Sequence, residues 1–191
     1  MLTAYIIEFI FFGFAGWLMD STYRLITDGK FLFGGYFRWI PIRPIYGTGG
    51  LLLTFYFKIF TEIDPFLLII IASLMMVLLE YISGVFSEYF LGIKLWDYSD
   101  AKFNIGGKVD LLHSVFWMAL VFLFYNYFFK FIIIFESNFI FPQYIDLPVF
   151  WVFVTILIFS TIKNHPAIVF GYNQPMISLY IYDYHKFAIL L

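Results

Sequence analysis

Residues 65–92 read PFLLIIIASLMMVLLEYISGVFSEYFLG, and this stretch decides the fold. From Ile69 to Leu79 it is apolar, relieved only by the small residues Ala72 and Ser73. As a helix it is long enough to cross a hydrocarbon core of about 30 Å. Asp64 and Pro65 supply an N-cap and a first-turn proline. The second half carries Glu80, Ser83, Gly84, Ser87 and Glu88 at i, i+3, i+4, i+7 and i+8, which is one polar stripe along two turns. An acid in a membrane helix faces protein or water, because facing lipid costs about 3 kcal/mol or more.

The rest of the chain fits that reading. Of its 191 residues, 63% are hydrophobic and 13% charged, and mean hydropathy is +0.90. A soluble domain is roughly a quarter charged, and one of this size could not bury so much apolar surface. The expected class is therefore an all-α integral membrane protein. A net charge of −2 gives no basic balance for nucleic acid. With no cysteine there are no disulfides, thiolate metal sites or cysteine nucleophile. The N-terminus lacks a basic region and a small-residue cleavage site, so its apolar segment is expected to be retained.

Working outward, the spacing predicts further spans at about 5–26, 45–60, 109–131 and 147–162, which with 65–92 make a bundle of about five transmembrane helices. Residues 1–163 are read as one transmembrane domain and 164–191 as an interfacial C-terminal tail rich in Tyr and Phe. On the first span Gly13, Gly16, Trp17, Asp20 and Arg24 share a face, and on the second Gly47, Gly50 and Thr54 do; small residues there invite close helix contact. Glu8 lies off the stripe and is expected near the helix end, reaching the interface. The polar segment 27–44 is read as a re-entrant, interfacial or surface loop. The loop 93–108 holds Lys94, Trp96, Asp97, Tyr98, Asp100, Lys102, Asn104 and Gly106-Gly107-Lys108. Asp110, His113, Ser114 and Trp117 follow at helical spacing.

With this topology the first loop, the third loop and the tail share one side. That side carries nine of the eleven Lys and Arg, leaving Lys58 and Lys130 for the other. Basic residues stay cytoplasmic. The N-terminus is thus expected outside and the C-terminus inside; a sixth span in the tail would move only its end. Asp20, Arg24, Arg43, Glu80, Glu88, Asp97, Asp110 and His113 then lie towards the cytoplasmic half, where the polar faces would converge.

Five stretches occur in order: GWLMDSTYR (Gly16–Arg24), RPIYGTGG (Arg43–Gly50), LEYISGVFSE (Leu79–Glu88), LWDYSD (Leu95–Asp100) and FNIGGK (Phe103–Lys108). Together they resemble the CmpB-like family of small bacterial membrane proteins, which carries an ABC-transporter permease, type IV, label. The resemblance covers about residues 10–120. The family pattern has Glu where Asp20 stands, an Asn-Arg-Gly turn where residues 34–38 read GGYFR, paired tryptophans at Leu95-Trp96, and Arg at Lys108. The resemblance implies a membrane transport subunit; five spans are few for a whole transporter, so a separate ATPase chain or a homo-oligomer is expected as partner in the bilayer.

The candidate substrate- or ion-binding residues are Asp20, Arg24, Arg43, Tyr46, Glu80, Glu88, Trp96, Asp97, Asn104, Asp110 and His113. Glu80 and Glu88 could bind a cation or relay protons, or pair with Arg24, Arg43 or Lys108 to hold helices together. Trp96-Asp97-Tyr98-Ser99 could cap a helix, anchor the loop at the interface or contact substrate. Asp110 could orient His113 as a base, or the histidine could be a satisfied core residue; no catalytic nucleophile is identifiable. There is no HExxH pair, and no metal or cofactor is expected. Gly106-Gly107-Lys108 lacks the phosphate-loop spacing, so any ATPase is another chain. The coupling-loop motif of ordinary ABC importer permeases (Glu-Ala-Ala followed by Gly) is not recognisable either. Three functions stay open: a transport-related subunit with a carboxylate site in the cytoplasmic half, a membrane enzyme acting on a lipid headgroup or lipid-linked substrate, and a scaffold or assembly factor.

Overall fold

The computed structural model describes residues 2–29, 31, 40–90, 92, 94–138 and 143–164. Among them every regular element is a helix, and Ile105 and Val109 form an isolated bridge. The elements are α1 (Leu2–Asp28), α2 (Pro44–Ile59), α3 (Pro65–Phe90), α4 (Leu111–Leu123), a π-helical turn (Phe124–Phe128), α5 (Phe129–Asn138) and α6 (Gln143–Asn164). Leu111–Asn138 counts as one continuous apolar helical segment, so the described residues form five helices. Three are long and apolar enough to cross a membrane: Leu2–Thr27, Pro65–Phe90 and Leu111–Asn138. α2 has only 16 residues, a rise of about 24 Å. The all-α membrane class and the order of helices agree with the periodicity. The loop expected over 27–44 falls largely on residues outside those described, as does the tail from 165.

The chain divides into two compact units, one of Met1–Ile59 with Phe128–Pro166 and one built on Phe60–Tyr127. In the first, α1 and α2 run antiparallel with their small residues interlocked. A Cβ on Gly13 would lie 2.5 Å from Ile42, and one on Gly16 would run into the Tyr46 ring. In return Gly47 accepts Phe9 and Gly50 accepts Phe12. Close approach at small residues is what drives association where lipid removes the hydrophobic incentive. α6 joins α1 through Asp146, whose Oδ1 accepts from the Thr3 amide (3.1 Å) and hydroxyl (2.6 Å). That carboxylate caps the N-terminus of α1 from another helix.

Glu8 corrects an expectation. It does not reach an interface but is only 6% exposed, where it accepts a hydrogen bond from Thr54 Oγ1 of α2, itself 0% exposed. The α1–α2 antiparallel pairing puts the two opposite each other, and a buried carboxyl takes the nearest donor. Lys58 of α2 likewise pairs with Glu136 of α5.

In the second unit α3 packs on α4. The buried face of α3 is Leu68, Ala72, Ser73, Met76, Glu80, Gly84 and Ser87, a helical stripe continuous with the polar one. The opposite face exposes Leu67, Leu74, Leu78, Ile82 and Phe86, as a lipid-facing surface does. The π turn at Phe124–Phe128 was not foreseen. Asn126 lies within it, and its side-chain Nδ2 donates to the Phe122 carbonyl at 2.8 Å.

Candidate functional site

The second unit gathers its chemistry around Glu80. This side chain sits ten residues before the end of α3, about 15 Å along the axis, and is 6% exposed. Its Oε2 accepts from Trp117 Nε1 of α4 at 3.0 Å, and its Oε1 accepts from the Tyr98 hydroxyl at 3.2 Å. A helix and a loop thus converge on one carboxylate. The same Tyr98 ring stacks on His113, centroids 4.1 Å apart and planes 16° from parallel.

His113 is held from its own helix. Asp110 is the N-cap of α4: Oδ1 accepts from the His113 amide at 2.7 Å, while Oδ2 accepts from His113 Nδ1 at 2.8 Å. The i, i+3 spacing makes both bonds local, which is why the sequence alone pointed to the pair. Glu88, two turns beyond Glu80, is more exposed and forms an ion pair with Lys108 Nζ at 2.6 Å. Of the alternatives open for Glu88, this is the pair with Lys108.

The loop 94–109 folds on itself. Asp97 Oδ1 accepts from the Ser99 amide (3.0 Å) and hydroxyl (2.5 Å), and its Oδ2 from Lys94 Nζ (2.7 Å). Burial pushes the Asp97 carboxyl up, but the bonds from Lys94 and Ser99 outweigh it and hold it at about 2. The same bond to Asp97 raises the Lys94 ammonium. Gly107 has φ of +68°, and a Cβ there would meet Ser99 Oγ at 2.5 Å and Asp97 Oδ1 at 2.7 Å, so glycine is required. Trp96 Nε1 donates to the Lys108 carbonyl at 2.8 Å, and the Tyr98 amide to the Gly107 carbonyl at 2.8 Å. Asn104 is a brace, its Nδ2 donating to the carbonyls of Ser99 and Ala101 and its Oδ1 accepting from the Gly107 amide.

The remaining candidates lie in the first unit. Asp20 pairs with Arg43 Nε at 3.0 Å and accepts from the Tyr46 hydroxyl at 2.9 Å. The Arg43 amide also donates to the Gly13 carbonyl at 2.8 Å. Arg24 is half-buried one turn beyond Asp20. The expected residues therefore form two groups: Asp20, Arg43 and Tyr46 in one unit, and Glu80, Glu88, Trp96, Asp97, Asn104, Asp110 and His113 in the other. Tyr98, Trp117 and Lys108 were seen in the sequence but not placed among the candidates. The i+7 spacing of Trp117 from Asp110 was the available signal. Nothing local signalled Glu8 with Thr54, or Lys58 with Glu136. No group of three His, Cys, Asp or Glu among the described residues is arranged to hold a metal.

Long helices with exposed apolar faces, interlocked glycines and a carboxylate held within a helix long enough to span define a helical integral membrane protein. Residues 7–165 match the family described as "Putative ABC-transporter type IV", the CmpB type, and the chain belongs to that family. No curated protein and no solved structure matches the chain.

Proposed function

We propose that this chain is the membrane subunit of a transport system and that its substrate- or ion-binding site is centred on Glu80. One observation carries the reading: a carboxylate well inside a spanning helix is nearly closed off, and its oxygens are held by Trp117 and Tyr98 from two other segments. Such a group is expensive to keep in a membrane, and intramembrane acids are where ion and proton pathways form. His113 and its Asp110 partner stand behind Tyr98, Glu88, Trp96, Asp97 and Asn104 belong to the same helix end and loop, and Asp20, Arg43 and Tyr46 form a separate polar group in the other unit. The nine of eleven basic residues on the loop side support a cytoplasmic position for it, with the N-terminus outside. The family's ABC relation supports a separate ATPase chain as partner, with a homo-oligomer as the other assembly.

The test is solute- or ion-dependent flux in proteoliposomes, with the chain alone and with co-purified partners. Flux is expected, and Glu80→Gln should abolish it while leaving the folded fraction intact. No flux in either preparation, or flux indifferent to Glu80→Gln, rejects the reading. A second reading, lipid-headgroup chemistry, is favoured by one feature: Asp110 orients His113 through Nδ1. It predicts turnover of a lipid substrate that His113→Ala removes.

A further inference from the structure

The Trp96–Ser99 segment was a candidate interfacial anchor, but the structure turns both of its aromatics inward, Trp96 onto the Lys108 carbonyl and Tyr98 onto Glu80 and His113. What the loop presents outward is different. Phe103 is 79% exposed and Ile105 61%, on either side of Asn104. Phe103 has φ of +57°, the only positive φ at a non-glycine among the described residues. An aromatic residue in the left-handed region is strained, and strain of this kind persists only where the surroundings impose it. Here the Asn104 amide imposes it, clamping Ser99 and Ala101 on one side and Gly107 on the other. The loop turns Asp97, Tyr98 and Asn104 to internal partners and leaves two apolar side chains exposed.

We infer that Phe103 and Ile105 are seated in the interfacial layer of the lipid bilayer, as the membrane anchor of the α3–α4 loop. The argument is continuity with lipid-facing surface inside one unit. The loop joins the end of α3 to the start of α4, both parts of spanning segments. Tyr89 and Phe90 at the one end, and Leu111 and Leu112 at the other, are exposed and apolar. The loop therefore begins and ends at headgroup level. Ile105 donates to the Val109 carbonyl at 2.9 Å, which keeps the tip about 5 Å from the residue preceding the Asp110 cap. A tip tied this closely to the membrane surface, with two exposed apolar side chains and the exposed charges of Asp100 and Lys102 nearby in sequence, suits the headgroup–acyl boundary. The anchor would hold Asp97 and Tyr98, and through Tyr98 the contacts of Glu80, at a set depth.

The chain has no cysteine, so single labels are unambiguous. Phe103→Cys, Ile105→Cys and, as the control, Asp100→Cys would each be spin-labelled in the full chain reconstituted in phosphatidylcholine vesicles. Collision rates with oxygen and with a water-soluble nickel chelate report depth. The expected result is oxygen access several-fold above nickel access at 103 and 105, and the reverse at 100. With Phe103 intact, the label at 105 should sit in lipid; adding Phe103→Ser should raise its nickel access several-fold. Nickel access at 103 and 105 equal to that at 100 puts the tip in water and overturns the inference. Low access to both reagents shows a protein cover, a second copy or another chain, and overturns it equally.

Discussion

Tyr98 lies flat against His113, ring centroids 4.1 Å apart, with its hydroxyl 3.2 Å from Glu80. One side chain thus links the loop to both the acid of α3 and the Asp110-held histidine of α4. A change in the loop's position would be felt at both.

Tyr98 and Trp117 should contribute unequally. Tyr98→Phe keeps the stack and removes one hydrogen bond, which should cost about 1 kcal/mol. Trp117→Phe takes the 3.0 Å donor from a buried carboxylate, and the cost of that is ~1–3 kcal/mol. Thermal unfolding of the detergent-solubilised protein should order the melting points as wild type, then Tyr98→Phe, then Trp117→Phe.

The loop should tolerate acid well. The Asp97 carboxyl is held at about 2, below its usual 3.8. A depressed carboxylate contributes stability that is present above its unfolded value and lost as pH falls through its folded value. The Lys94–Asp97–Ser99 lock should therefore stay closed at pH 5 and open only as pH falls from near 4 towards 2. Amide exchange at Ser99 and Gly107 should be flat from pH 7 to 5 after correction for intrinsic rates. For Asp97→Asn these amides should exchange faster even at pH 7.

Two glycines should refuse a side chain for different reasons. Gly107→Ala meets both a left-handed backbone and the Asp97–Ser99 pair, a penalty of roughly 1–2 kcal/mol or more. Gly16→Leu would strike the Tyr46 ring and pull it from Asp20. Size-exclusion profiles should show the first variant folded but less heat-stable, and the second largely aggregated.

Lys58 and Glu136 should behave as a pair. Each side chain is mostly buried, so removing either strands a charge, at a cost of roughly 1–3 kcal/mol. Lys58→Met and Glu136→Gln should each lower the melting temperature. The exchange Lys58→Glu with Glu136→Lys should recover most of the loss. Recovery by neither the exchange nor the double neutral variant would show that the pair does not couple α2 to α5.

Much of this molecule is legible locally. An apolar run has a length, a helix has a period, and a cap has a fixed offset, so α3, its polar stripe, the Asp110–His113 pair and the glycine contacts of α1 all follow from neighbours in sequence. Helical phase says which face Glu80 occupies, but not who meets it there. Glu8 shows the limit: its place in the first turns suggested an end, yet its fate depended on Thr54, 46 positions away. Trp96 and Tyr98 had the composition of an interfacial anchor, and only the folding of the loop on itself turned them inward.

The sequence by itself therefore determined a helical membrane protein, its order of helices and the stretch carrying its chemistry, because the bilayer's thickness and the helix's pitch act on contiguous residues. The tertiary structure decided that Glu80 is held by Trp117 and Tyr98, that Glu88 belongs to Lys108, and that Phe103 and Ile105 face outward. Those pairings depend on the register between helices and on the path of a loop, which no local spacing encodes.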